Sequence, residues 1–213
     1  MILYGGKLSP FVMRPLLVSR AKGAEVTMAM FEGGIKCADY LALCPTAKMP
    51  LLVDGDLALP ESQVIADYLD LALPGPALIP ADPKAAAKVR LLVRLADTYV
   101  VPQLGGLFRG RENPAGVPDA LKAMGEALGY IEHYRDAGDE FAFGNSFTQA
   151  DAALIPLFFF FDALDGAMPT KALVAAQPGL AAWWGRAKAS ELGAQAVAEQ
   201  AEGLKAMIAS RAG

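Results

Sequence analysis

Between Leu73 and Pro83 the chain carries prolines at positions 74, 76, 80 and 83, a density that no helix or strand accommodates. This stretch reads as an interdomain linker, and the hydrophobic patterning changes character across it. Before it, short period-two runs alternate with helix-period runs; beyond it every periodic segment is helical. The prediction is a small α/β domain over residues 1–73, a linker over 74–83 and an all-helical domain over 84–213.

Bulk properties remove several function classes. With 54% apolar and 20% charged residues, the 213-residue chain can bury a core and is not a disordered one. A net charge of −4 and a pI near 5.1, with basic residues scattered, leave no phosphate-backbone footprint, so no nucleic-acid partner is expected. A mean hydropathy of +0.31 calls for a check on membrane spans. The longest apolar run, Ala152 to Phe161, is too short to span a bilayer and is bracketed by Asp151 and Asp162. No basic and then apolar leader opens the chain, and the expected location is the cytoplasm, away from membranes. Cys37, Cys44 and the single histidine, His133, fit no zinc spacing, so no metal site is expected and both cysteines read as free thiols. No G-x-S-x-G is present, which removes the nucleophile-elbow hydrolases.

Along the first domain, Met1 to Tyr4 reads as a strand. Ser9-Pro10 then opens a helix with a good cap residue and a first-position proline, and Gly23 stops it. Pro15 lies too deep to be a first-turn proline and predicts a distorted first turn. Val26, Met28 and Met30 alternate as a half-buried strand, and a short helix lies near Asp39–Leu43. Leu51–Val53 and Leu57–Leu59 form a hairpin around Asp54-Gly55. After Pro60 comes a helix with Val64, Ile65, Tyr68 and Leu69 on one face. In the second domain Asp82-Pro83 starts a helix with an apolar stripe of Val89, Leu92, Ala96 and Tyr99 and a polar one of Arg90, Arg94 and Asp97. Further helices are predicted over about 118–135, from Thr148, over about 179–189 and over about 193–210. Phe158 to Phe161 read as core, and Phe147-Thr148 with Asp151 as a capping box and staple. His133 reads as a partly exposed residue near a helix end.

Three features of the first domain form a constellation: Ser9 at a helix entrance, Met49-Pro50 entering a strand, and Glu61-Ser62 opening the next helix. Taken singly they read as an N-cap, an edge proline and helix-start composition. Their order and spacing resemble the cytosolic glutathione S-transferase family across essentially the whole chain. The matching stretches are Ser9-Pro10-Phe11-Val12-Met13-Arg14, Asp39-Tyr40-Leu41-Ala42-Leu43-Cys44-Pro45, Lys48-Met49-Pro50-Leu51-Leu52 and Leu59-Pro60-Glu61-Ser62. Ile65-Ala66-Asp67-Tyr68-Leu69 follows them. Later come Phe147-Thr148-Gln149-Ala150-Asp151 and Pro178-Gly179-Leu180-Ala181-Ala182-Trp183. The resemblance implies a thioredoxin-like first domain, a helical second domain and a homodimer, with glutathione as co-substrate.

It also implies roles. The Ser9 hydroxyl would donate to the glutathione sulfur at a helix N-terminus and stabilise the thiolate, the nucleophilic form. Pro50 resembles the family's cis proline, which turns the Met49 N–H and C=O toward the cysteinyl backbone of glutathione. Glu61 would meet the γ-glutamyl ammonium and Ser62 its carboxylate. Lys36 resembles a lysine that binds the glycyl carboxylate, or is a solvated loop residue. The sequence departs from the family at Cys44, commonly Asn, and at Met49, usually Val or Ile. Tyr4 is the next hydroxyl if Ser9 stands too far from the sulfur, although its strand position suggests core. A small hydrophobic electrophile is expected against Phe11, Tyr99, Gln103, Leu107, Phe108 and Arg109. Arg109 either attracts an anionic substituent or, with Arg111 close by, is solvated. Arg90, Arg94 and Asp97 serve either a dimer interface or the site. The implied activity is transfer of glutathione to that electrophile, a detoxification reaction. The alternatives are a glutathione-dependent isomerase, dehalogenase or ether-cleaving lyase on the same site, and a non-catalytic ligand-binding or docking member. Glutathione-dependent disulfide reduction would favour cysteine at position 9.

Overall fold

The computed structural model describes residues 1–110, 112–136 and 138–212. Its chain divides into two compact units, one of residues 1–78 with the final helix, the other Ile79–Ser190. The first is built on a four-stranded sheet of β1 (Ile2–Tyr4), β2 (Thr27–Ala29), β3 (Leu51–Asp54) and β4 (Leu57–Pro60), ordered β2-β1-β3-β4. β1 runs parallel to β2 and antiparallel to β3, and β4 is antiparallel to β3. A parallel pair needs a crossover, which α1 (Pro10–Ala21) supplies. The antiparallel β3–β4 pair needs only the two residues Gly55-Asp56, with Gly55 at φ 60°. This mixed sheet with its helices is the expected thioredoxin-like arrangement.

Local chemistry explains the limits of α1. Pro10 occupies its first position, where a missing N–H costs nothing. At the other end Gly23 takes φ 71°, its N–H reaching Arg20 O at 2.8 Å while Ala24 N–H reaches Ser19 O at 2.9 Å. That is a Schellman stop. Pro15 does not break the helix. The first turn instead tightens, with the Val12 and Met13 N–H groups sharing the Ser9 carbonyl at 3.1 and 3.0 Å.

α2 (Ala38–Leu43) and α3 (Ser62–Ala72) complete this part, and α3 packs on α1. The buried side of α3 is Ser62, Ile65, Ala66 and Leu69. Val64, expected on that face, lies a helical step away and is 47% exposed. Met30 is also exposed, because β2 ends at Ala29 and the alternation stops there. The first half of the proline-rich stretch is tied down. Lys22 Nζ donates to Pro76 O (2.9 Å) and to Asp70 (3.1 Å), and Leu78 N–H donates to Asp70 (3.0 Å).

The second unit contains α4 (Pro83–Leu95), a π-helical turn (Ala96–Val100), α5 (Val101–Phe108), α6 (Val117–Tyr134), α7 (Gln149–Leu164), α8 (Thr170–Ala175) and α9 (Pro178–Ala187). Asp82 caps α4 by accepting from Ala85 N–H at 2.8 Å. Val89, Leu92 and Ala96 are buried as their stripe predicts. The π turn then rotates the chain, so Tyr99 emerges onto the surface and its ring meets Tyr130 edge-on, 5.4 Å between centroids. α7 is apolar all round and carries Phe158 to Phe161 in the core. α8 has no counterpart in the sequence reading.

α10 (Glu191–Ala212) corrects the expected boundary, since it belongs with the first unit and packs on α1. Helical periodicity says that a helix has a buried side; it does not say which core will cover it. Among the described residues no helix is long and apolar enough to cross a membrane, and no group of side chains is arranged to hold a metal.

Candidate functional site

A cavity of about 260 Å³ opens in the first unit, and three chain segments wall it. Phe11 comes from the first turn of α1. Thr46, Lys48, Met49 and Pro50 come from the approach to β3, and Pro60, Glu61 and Ser62 from the β4–α3 junction. The constellation read from sequence is therefore assembled in space at Met49, Pro50, Glu61 and Ser62, with Phe11 facing the same opening.

Each wall has a local cause. The Met49–Pro50 peptide is cis, as expected. The residue before it is held from behind: Tyr40 Oη donates to Lys48 O at 2.5 Å and Cys44 Sγ lies 3.5 Å from the same oxygen. Burial, with the neighbouring Cys44, pushes the Tyr40 hydroxyl up to about 12, so it stays a donor at any ordinary pH. Cys44, where the family commonly has Asn, uses its thiol on Thr46 Oγ1 (3.3 Å) and on Lys48 O. Tyr4 joins Phe31 and Tyr40 in an edge-to-face aromatic cluster, which makes it core.

At the junction before α3, Glu61 sits at the N-cap position with φ 70° and ψ 114°. A side chain in that region is strained by about 1–3 kcal/mol, and such strain concentrates where a ligand is gripped. Its carboxylate makes no capping bond to α3. Ser62 begins the helix and is 7% exposed on the cavity wall. The site thus offers the cis-proline bend at Met49, a carboxylate and a helix N-terminus with a hydroxyl, which together suit a zwitterionic peptide-like ligand.

Ser9 is at the mouth of α1, half-buried, and is not on the cavity wall. It also does not act as a cap: its hydroxyl makes no bond to the helix. Pro10 has no N–H to offer, and the first turn of α1 has no cap bond from the Ser9 side chain. Lys36 is exposed and off the cavity wall; the lysine that lines it is Lys48. The signal for Lys48 was its place beside Met49, within the motif itself.

The remaining candidates lie in the second unit. Tyr99, Phe108 and Arg109 are exposed, Gln103 is half-buried, and Phe108 packs edge-on against Phe160 with centroids 5.0 Å apart. Leu107 is only 2% exposed and shares a buried side of α5 with Leu104, which leaves it no surface for a ligand. Arg111 lies outside the described residues. His133 is exposed at the end of α6, stacked edge-on with Tyr134. Cys37 and Cys44 are free thiols.

Residues 3–77 match the family model for the glutathione S-transferase N-terminal domain, and residues 114–186 that for the C-terminal domain. Glutathione S-transferase 3 of Zea mays is 35% identical over 199 residues, covering 85% of this chain and 86% of the maize protein. A stringent starvation protein A homolog of Coxiella burnetii is 39% identical over 93 residues, 44% of each chain. The solved structure of a glutathione S-transferase III in apo form superposes with a TM-score of 0.75 at 30% identity, covering 92% of this chain and 95% of that one. A thioredoxin-like unit with a ligand cleft at its cis-proline bend, joined to a helical unit, defines the class. The chain belongs to the glutathione S-transferase family.

Proposed function

We propose that the protein is a glutathione S-transferase that binds glutathione at the Met49–Ser62 cavity and directs its thiolate onto a small hydrophobic electrophile. The observation that carries this reading is the convergence of Met49, Pro50, Glu61 and Ser62 on one cavity wall. The Met49 backbone pairs with the cysteinyl unit, the Glu61 carboxylate takes the γ-glutamyl ammonium, and Ser62 with the α3 N-terminus takes the adjacent carboxylate. Lys48, which lines the cavity where Lys36 does not, takes the glycyl carboxylate in this reading. The thiolate forms at the mouth of α1, where the Ser9 hydroxyl makes no bond to the helix. That hydroxyl stabilises the anion without accepting its proton. The electrophile meets apolar surface supplied by Phe11 on the cavity wall.

The family's dimeric habit is extended to this chain: Val64 and Leu71, 47% and 88% exposed on one side of α3, supply an apolar face for a second copy. Two free thiols are what a reducing compartment such as the cytoplasm maintains. The test is calorimetric titration with glutathione, followed by conjugation to a chlorodinitrobenzene acceptor. Binding and turnover are expected. Absence of binding at millimolar glutathione would sink the proposal, and binding without conjugation or elimination on any acceptor would leave only the ligand-binding alternative.

A further inference from the structure

The loop that delivers Ser9 is clamped from one side by the last helix of the chain. Glu199 of α10 accepts from Lys7 Nζ at 2.8 Å, two residues before Ser9. It also takes both arms of the Arg20 guanidinium, at 3.0 and 2.8 Å, from the far end of α1. One carboxylate therefore ties the loop ahead of α1 to the helix that follows it. The Arg20–Glu199 pair is largely shielded, with side chains 11% and 15% exposed, so its attraction is less screened than that of a surface pair, while Lys7 is 41% exposed. Part-burial by itself raises the Glu199 carboxyl, but Arg20 and Lys7 outweigh it and hold the group below the usual carboxylate range.

Two more contacts fall on the residue between. Gln200 Nε2 donates to Leu8 O at 3.4 Å. At Gly203 the helix and loop touch so closely that a Cβ would lie 2.9 Å from Leu8 Cβ and 3.2 Å from Leu8 N. Lys7 and Leu8 are thus both fixed by α10, while Ser9 is held through its backbone, its N–H on Gly6 O at 3.0 Å and its C=O accepting from Val12 and Met13, and makes no side-chain bond to its helix. An uncapped serine needs its position set from outside. α10 supplies that setting.

We propose that Glu199 is a positioning residue for the catalytic step: by clamping Lys7 and Arg20 it fixes where the Ser9 hydroxyl stands relative to the glutathione sulfur. The inference rests on the proposed function, but it concerns a helix with no residue on the cavity wall. Glutathione affinity resides in Met49, Glu61 and Ser62, so loosening the clamp shifts the serine without removing a ligand contact. The effect belongs in kcat and not in KM for glutathione.

The experiment compares wild type, Glu199→Gln, Ser9→Ala and the double variant, using glutathione and the chlorodinitrobenzene acceptor. Glu199→Gln is expected to lower kcat by about tenfold, the scale of a sub-ångström misplacement of a reacting group, with KM for glutathione unchanged. In the Ser9→Ala background the same change should cost nothing further, since the clamp acts through that hydroxyl. Gly203→Ala, which pushes on Leu8 without touching the ion cluster, should repeat the pattern and covers the case in which Glu199→Gln fails to fold. An undiminished kcat in either folded single variant, a loss confined to KM, or losses that add fully to that of Ser9→Ala would overturn the proposal. A wild type that turns over normally beside such results leaves the proposed function standing. A wild type that neither binds nor uses glutathione brings down both.

Discussion

Two helix starts in this molecule carry the same kind of sequence signal and use it in opposite ways. At α7, Thr148 accepts from Ala150 N–H at 3.3 Å, and Asp151 closes the capping box by accepting from Thr148 N–H at 3.0 Å. The other oxygen of Asp151 takes Ala142 N–H at 2.7 Å and the Trp183 indole at 3.0 Å. Both carboxylate oxygens of Asp151 are spent on the fold. At α1, Ser9 stands at the equivalent position with a free hydroxyl, and a proline has removed one of the competing donors. One helix start spends its polar groups on folding; the other holds them in reserve for chemistry. A hydroxyl before a helix is therefore a question about what else it touches, which its own residue type does not answer.

The difference can be broken from the α7 side first. Asp151→Ala leaves the Thr148 N–H and hydroxyl, the Ala142 N–H and the Trp183 indole facing a void, and is expected to destabilise the fold by about 4 kcal/mol in urea denaturation. A loss below that of an ordinary exposed cap would remove the contrast. Ser9→Ala should do the reverse, lowering kcat roughly a hundredfold, as loss of one anion-stabilising donor does. Its stability should stay within the scatter of a surface change, because no cap bond is lost. A stability loss of about 1 kcal/mol with unchanged turnover would return Ser9 to the role of a plain cap. Glu61→Gly, which relieves the φ 70° backbone, should gain about 1 kcal/mol of stability while weakening glutathione binding in the same calorimetric assay.

The smallest effect is in pH. The folded-state value of Glu199 lies below its ordinary 4.5, so its contribution to stability is complete above 4.5 and fades as pH falls through the lowered value. The stability gap between wild type and Glu199→Gln, followed by urea melts across the acid range, should close at the acid end and be constant toward neutrality. A gap that widened as the pH dropped would contradict the ion cluster.

Much of the fold was legible because its signals are local. Proline and glycine place the ends of α1, Asp82 caps α4, and the box at Thr148 and Asp151 opens α7, each through bonds that span a few residues. The site was legible at Met49, Pro50, Glu61 and Ser62 for a different reason: a motif is a record of positions that a backbone bend and a helix start must occupy. Reading failed where one face had to be chosen. Val64 and Met30 continued an apolar pattern into solvent, since an alternation cannot say where its strand or its buried face ends. Lys36 and Lys48 were equally basic on paper, and only the course of the loop put the second on the cavity wall.

What the sequence determined by itself was the division into an α/β and a helical region, the element boundaries set by caps, prolines and glycines, and the motif at the cis-proline bend. All of these depend on interactions within a few residues of one another. Tertiary structure alone decided that the last helix returns to the first unit, that Glu199 reaches Lys7 and Arg20, and that Ser9 keeps its hydroxyl uncommitted. Those outcomes depend on which surfaces, distant along the chain, bury each other best, and no local pattern encodes that sum.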